Sequence, residues 1–216
     1  MRMRALLFSG AVAVGLWSMP AHAQVGDAER ATARDLFKQG DKLQRSGDFA
    51  AALDTFQRAE QIFSAPTNML RIAECEAALG RFAESAESYR AVMRTPLPAG
   101  APAAFKGAVG QARSELAQVE PRVPKLIVSV EPQGLDKEQM QVDGQNVPAA
   151  LIGEPMPLDP GTHTVIVSAP GYASTEQRVT LAEHDSKSLP VTLQPVAPAP
   201  PGMQGTAPAS AGTTKS

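Results

Sequence analysis

A histidine beside a carboxylate can act as a general base or hold a metal ion, and an activated thiol can act as a nucleophile. The 216-residue chain holds three His and one Cys. His163 sits mid-strand among valines, on one face with Val165 and Val167, the setting of a packed or hydrogen-bonded histidine. His184 lies in Glu183-His184-Asp185, a polar turn, whereas metal sites need several ligands gathered together. Asp143-Gly144 lacks the carboxylate ladder of a calcium loop. No G-x-S-x-G, H-E-x-x-H or phosphate-binding glycine loop occurs in the sequence. Cys75 falls on a helical stripe with Ile72 and Leu79 and reads as a buried, inert thiol. With one cysteine no internal disulfide can form. These residues imply no catalytic group, no metal and no cofactor, and the chain reads as a non-enzymatic protein.

The formal charge is −2, without a basic run, so the electrostatic footprint of a nucleic-acid binder is missing. Residues 1–23 read as a secretory signal. Arg2 and Arg4 form the positive start, Ala5 to Trp17 the apolar stretch, and Ala21-His22-Ala23 the cleavage site, so the mature protein begins at Gln24. The stretch falls short of the ~20 apolar residues of a membrane span, and no transmembrane span is expected after cleavage. Residues 195–216, rich in Pro, Ala, Gly, Ser and Thr, lack the apolar surface to offset ordering entropy and read as a disordered tail. Roughly 170 residues remain, enough for two small domains.

Residues 27–120 are expected to be helical. Gly47 recurs as Gly80, Phe49 as Phe82, Ala52 as Ser85, Phe56 as Tyr89 and Ala59 as Val92, always 33 positions on. Such a period signals stacked helix pairs. Gly40, Ala52 and Ala59 let helices approach closely, Gly47 suits a helix stop, and Pro66 opens a new segment. Leu36, Gly40, Leu43, Gly47, Phe49, Ala52, Phe56, Ala59 and Pro66 resemble a tetratricopeptide repeat. In the second unit Ala73 replaces the first glycine, and Glu76 stands where an apolar residue is usual. Phe105, Val109, Ala112, Leu116 and Val119 form a further amphipathic helix that caps the stack, about five helices in all.

From residue 124 to 194 the pattern turns to strands. Lys125 to Val130 is β-branched, Gln139 to Val142 runs into the Asp143-Gly144 hairpin dipeptide, Thr162 to Ala169 alternates, and Arg178 to Leu181 and Ser188 to Leu193 follow. The spacing predicts a small antiparallel β-sandwich, so the fold class is a multidomain α+β arrangement. The strand, the Val-Asp-Gly hairpin, the turn Asp159-Pro160-Gly161-Thr162, the His163-x-Val165-x-Val167 strand and Gly171-Tyr172 resemble a PEGA domain. Tetratricopeptide repeats followed by such a domain resemble bacterial extracytoplasmic proteins, which implies a periplasmic or cell-envelope location.

In that resemblance the first helix of each unit lines a concave face. The matching positions are Arg34, Phe37, Asp41, Gln44 and Arg45, then Leu70 and Glu74, with Phe37 as the anchor for a protein or peptide partner. The family's carboxylate-clamping Lys and Asn are replaced by Phe37 and Asp41, so that activity is not carried over. Two functions compete. One is an envelope adaptor that binds a partner protein through the helices. The other is docking of the β-domain to cell-wall glycan or an outer-membrane component, for which the β-half offers Tyr172 as its lone aromatic. Phe56 is expected between paired helices, and Phe37 on the open face, where its loss would cost under ~1 kcal/mol.

Overall fold

The computed structural model describes residues 26–196. The expected signal, residues 1–23, lies outside them, as does the expected tail of 195–216 except for its first two residues. Five helices come first: α1 (Asp27–Arg45), α2 (Phe49–Ile62), α3 (Pro66–Ala78), α4 (Phe82–Arg94) and α5 (Ala103–Val119). No helix among the described residues is long and apolar enough to cross a membrane.

Local chemistry sets the helix ends. The Asp48 carboxylate accepts from the Ala51 amide at the start of α2, and Pro66 occupies the first turn of α3, where a missing N–H costs nothing. Gly47 and Gly80 close α1 and α3 at φ +83° and +79°, the left-handed region that glycine enters without strain. The 33-residue period is therefore a repeat of backbone conformation as well as of side chains.

Each helix packs on the next, and α3 also touches α1 and α5, so α1, α3 and α5 form one layer and α2 and α4 the other. One core cluster joins Ala52, Leu53, Phe56 and Cys75, with Phe37, Leu43, Phe49 and Ile72 half-buried against it. Burial is the main cause that pushes the Cys75 thiol up to about 12, and the Glu74 charge adds to it. Leu79 departs from the expected stripe: it is the C-cap of α3 and is 37% exposed, because the helix has ended where the apolar face would continue. A second cluster runs through Leu70, Ala73, Phe82, Tyr89, Val92, Ala112 and Val123, tying α5 and the chain after it into the stack.

Seven strands follow: β1 (Lys125–Glu131), β2 (Gln139–Val142), β3 (Gln145–Val147), β4 (Met156–Pro157), β5 (Gly161–Ser168), β6 (Thr175–Leu181) and β7 (Ser186–Thr192). They form a four-stranded antiparallel sheet ordered β3-β2-β5-β6 and a three-stranded sheet ordered β4-β1-β7. Asp143 and Gly144 both take positive φ, +51° and +79°, as a tight β2–β3 hairpin requires. Alternate residues of both sheets, among them Leu126, Val128, Met140, Val165, Val167, Leu181 and Val191, fill the space between them. The expectation of a wholly antiparallel sandwich needs one correction: β1 and β7 pair in parallel from Lys125–Ser186 to Glu131–Thr192. Hairpin signals reveal only neighbours joined by short turns, and these two strands are the first and last of the domain.

Candidate partner-binding site

The layer of α1, α3 and α5 carries a groove with two hollows. The larger, about 450 Å³, is lined by Phe37, Phe63, Phe105 and Pro102, with Arg30, Arg34 and Lys38 at its rim. The smaller, about 270 Å³, lies between Phe37, Leu70 and Arg71 on one side and Gly107, Ala108 and Gln111 on the other. Phe37 belongs to both. A Cβ at Gly107 would meet nothing within 4 Å.

Beyond the hollows the groove floor is a network of charges. Arg71 reaches Glu74 at 2.7 Å and Asp41 at 3.9 Å, and Asp41 also pairs with Arg45. Gln44 donates to the same Glu74 oxygen as Arg71, Oε2, at 2.7 Å, and Gln111 donates to the other, Oε1, at 3.0 Å and to Glu115 at 2.8 Å. The Tyr89 hydroxyl donates to Glu115 at 2.7 Å. Burial, then this carboxylate, holds the phenol well above its usual range. Glu74 thus receives donors from all three helices and locks their relative positions.

Of the seven residues expected on the concave face, Arg34 and Phe37 line the larger hollow, and Asp41, Gln44, Arg45 and Glu74 belong to the network. Leu70 touches the smaller hollow but is 5% exposed, so its side chain serves the core more than the groove. Sequence reasoning missed Arg71, Gln111 and Glu115, and the hollow residues Arg30, Phe63 and Phe105. The i,i+4 pair Gln111 and Glu115 on one face of α5 was the available signal.

A second polar cluster joins the halves. Asp159, just before β5, accepts from the Ala83 amide of α4 at 2.7 Å. Helix α4 lacks a side-chain cap of its own, so a carboxylate from the β-half caps it. The buried His163 ring contacts the Asp143 carboxylate and the Asp159 carbonyl, both at 2.7 Å. Both partners are acceptors, so the protonated ring, donating from both nitrogens, satisfies the site. Burial alone opposes that charge, but Asp143 and Asp159 outweigh it and raise the histidine above its ordinary value. For Asp143, partial burial works in the other direction, and the bonds from His163 and Thr164 hold its carboxyl below the usual range. Nearby, Arg122 pairs with Glu183 at 2.9 Å and lies 3.9 Å from the Phe82 ring centroid. The His184 ring reaches the Pro121 carbonyl at 2.7 Å. Both histidines therefore join strands or linkers to each other.

In β5, His163, Val165 and Val167 share one face, as the alternation suggested, and that face is buried. Residues 140–197 match the PEGA domain. The match begins at β2, so β1 and the five helices lie outside it, although β1 supplies Leu126, Val128 and Val130 to the core of the same sandwich. The junction residues His163 and Asp159 lie inside it. A comparison with curated proteins finds no match.

Proposed function

We propose that the chain is a non-enzymatic adaptor of the periplasm or cell envelope. Its helices, read as tetratricopeptide-like repeats, dock a partner protein in the groove, and its PEGA domain is a spacer or second docking surface. One observation carries this reading: α1, α3 and α5 are held side by side by a network centred on Glu74, leaving a preformed groove with an apolar end. A concave face with an aromatic anchor at one end and positioned polar groups along the rest is a surface for recognition. Envelope-type location rests on the PEGA match and the expected leader. Glycan docking by the PEGA domain has weaker support, because Tyr172 is half-buried against the β core.

The test is affinity capture from an envelope extract with the chain from Gln24 onward. Variants with Asp41→Lys and Glu74→Lys should lose a partner that the original chain retains. Variants on the exposed face of β6, Glu176→Lys and Arg178→Glu, should keep it. The opposite pattern would refute a helical docking face.

A further inference from the structure

The larger hollow narrows the chemistry of the partner. Its walls are the rings of Phe37, Phe63 and Phe105 with Pro102, its rim holds Arg30, Arg34 and Lys38, and no Asp or Glu is among the lining residues. Among the described residues Arg30 and Arg34 make no ion pair. The Arg30 guanidinium stands 5.7 Å from the Phe63 ring centroid. Lys38 pairs with Asp35 at 3.2 Å, with both side chains more than three-quarters exposed, a contact that water and salt weaken.

The backbone adds charge of the same sign. Thr67 and Asn68 belong to the first turn of α3, and Pro102 and Phe105 mark the start of α5, and these four line the hollow. The start of α5 carries no side-chain cap, whereas at the start of α3 the Ala65 amide donates to the Glu60 carboxylate at 2.9 Å, so the partial positive charge of one uncapped helix N-terminus, that of α5, joins three cations at one place. The far end of the groove differs: there Asp41 and Glu74 are neutralised by Arg45 and Arg71. Positive potential is thus concentrated at the apolar end.

We infer that this hollow takes a segment of a partner protein in which one large apolar side chain is flanked by carboxylates. This rests on the adaptor reading and specifies its ligand. The cavity is within the size range of sites that enclose a compact ligand, room for an aromatic ring and its adjoining backbone. The cations at the rim then meet carboxylates on either side of that ring. Such exposed charges act mainly on encounter and on the choice between partners. The signature is therefore a charge preference that fades with salt, with an apolar requirement that does not.

The experiment uses fluorescein-labelled peptides and the chain from Gln24 onward, read by fluorescence anisotropy. The probe is Gly-Asp-Glu-Phe-Asp-Glu-Gly. Its controls carry Asn and Gln in place of the acids, Lys in place of the acids, or Ala in place of Phe. The acidic peptide should bind roughly fivefold to tenfold tighter than the neutral one, the scale of a few exposed ion pairs, and the Lys and Ala forms should bind weakest. Arg30→Glu with Arg34→Glu should reverse the order of the acidic and Lys peptides, with an unchanged thermal midpoint showing that the fold is kept. Phe105→Ala should weaken all peptides alike. Equal binding of acidic and neutral peptides, lost in Phe105→Ala, would overturn the acidic assignment and leave the docking groove standing. Failure of every peptide, together with envelope capture indifferent to Phe105→Ala and to the Asp41 and Glu74 variants, would remove both. Binding to phosphatidylglycerol vesicles without binding of the acidic peptide would overturn the inference in favour of a lipid surface.

Discussion

Phe37 of α1 meets Phe56 of α2 edge to face, with ring centroids 5.5 Å apart and planes at 60°. The residue placed on the open face and the residue placed between helices are therefore one unit. Phe56 is fully buried, and Phe56→Ala should cost ~3–5 kcal/mol, as large core truncations do. Phe37→Ala should cost more than an exposed site would, about 1–2 kcal/mol, because an aromatic pair adds ~0.5–1.5 kcal/mol to the area lost. A double-mutant cycle by urea denaturation should give a coupling of at least ~0.5 kcal/mol. Strict additivity would mean the rings do not support each other.

Gly40 is the small residue that makes this contact possible. A methyl there would meet the Phe56 ring at 2.8 Å. Alanine gains up to ~1 kcal/mol of helix propensity over glycine, but overpacking a fixed core costs ~1–3 kcal/mol. Gly40→Ala should therefore lower the denaturation midpoint, whereas Gly110→Ala on α5, with nothing near it, should raise it.

His163 and Asp143 give the β-half a pH signature. A histidine raised in the native state adds stability that is complete below its ordinary value, ~6.5, and is lost as pH rises through the raised value. An aspartate lowered in the native state adds stability above ~3.9 that is lost as pH falls through the lowered value. Both contributions are present between those limits. The difference in unfolding free energy between the original chain and His163→Asn should shrink as pH rises above ~6.5, and urea melts at several pH values measure it. A difference that grows with pH would mean that the ring is neutral in the native protein.

Glu76 stands where the repeat pattern wants an apolar side chain. It is 7% exposed, and its Oε2 has no partner among the described residues. Burial, first of all, raises its carboxyl above the ordinary range. A raised acid destabilises the native state as pH climbs above ~4.3, since the unfolded chain releases that proton more readily. Glu76→Gln should raise stability at neutral pH by about 1 kcal/mol, the scale of one poorly satisfied buried polar group, and the gain should vanish near pH 4 in thermal melts.

The β-half, residues 124–196, should fold alone, with a β-type circular dichroism spectrum and a cooperative melt. Its midpoint should lie below that of the same half in the whole chain, because Glu183 loses Arg122 and His184 loses the Pro121 carbonyl. In the whole chain Asp159→Ala should uncap α4 at a cost of ~1 kcal/mol. A helical spectrum from the isolated segment would refute the division of the chain at Pro124.

Much of this architecture was legible as periodicity. Gly47 and Gly80, 33 apart, mark equivalent turns because only one backbone geometry reverses a helix at that place, and glycine is its cheapest occupant. Asp143-Gly144 named its hairpin for the same reason. Spacing along one element carries no information about elements far off in the chain, and that is where reading stopped. The hollow is assembled from Arg30, Phe63 and Phe105 on separate segments, and Asp159 caps a helix 76 residues before it. Leu70 and Phe37 show the same limit: each lies on the expected face, yet the depth of the neighbouring helix decides how far each is buried.

The parallel ladder of β1 and β7 has a temporal consequence. Lys125 pairs with Ser186, a partner 61 positions later, and closing so long a loop carries an entropic cost before any contact rewards it. The helical layers rest on neighbours close in sequence and can form as the chain emerges from a ribosome. The sandwich cannot be closed until Thr192 is clear, so Leu126, Val128 and Val130 stay without their last cover until then. Emergence of the C-terminal strand is the event that takes this apolar edge out of reach of other chains.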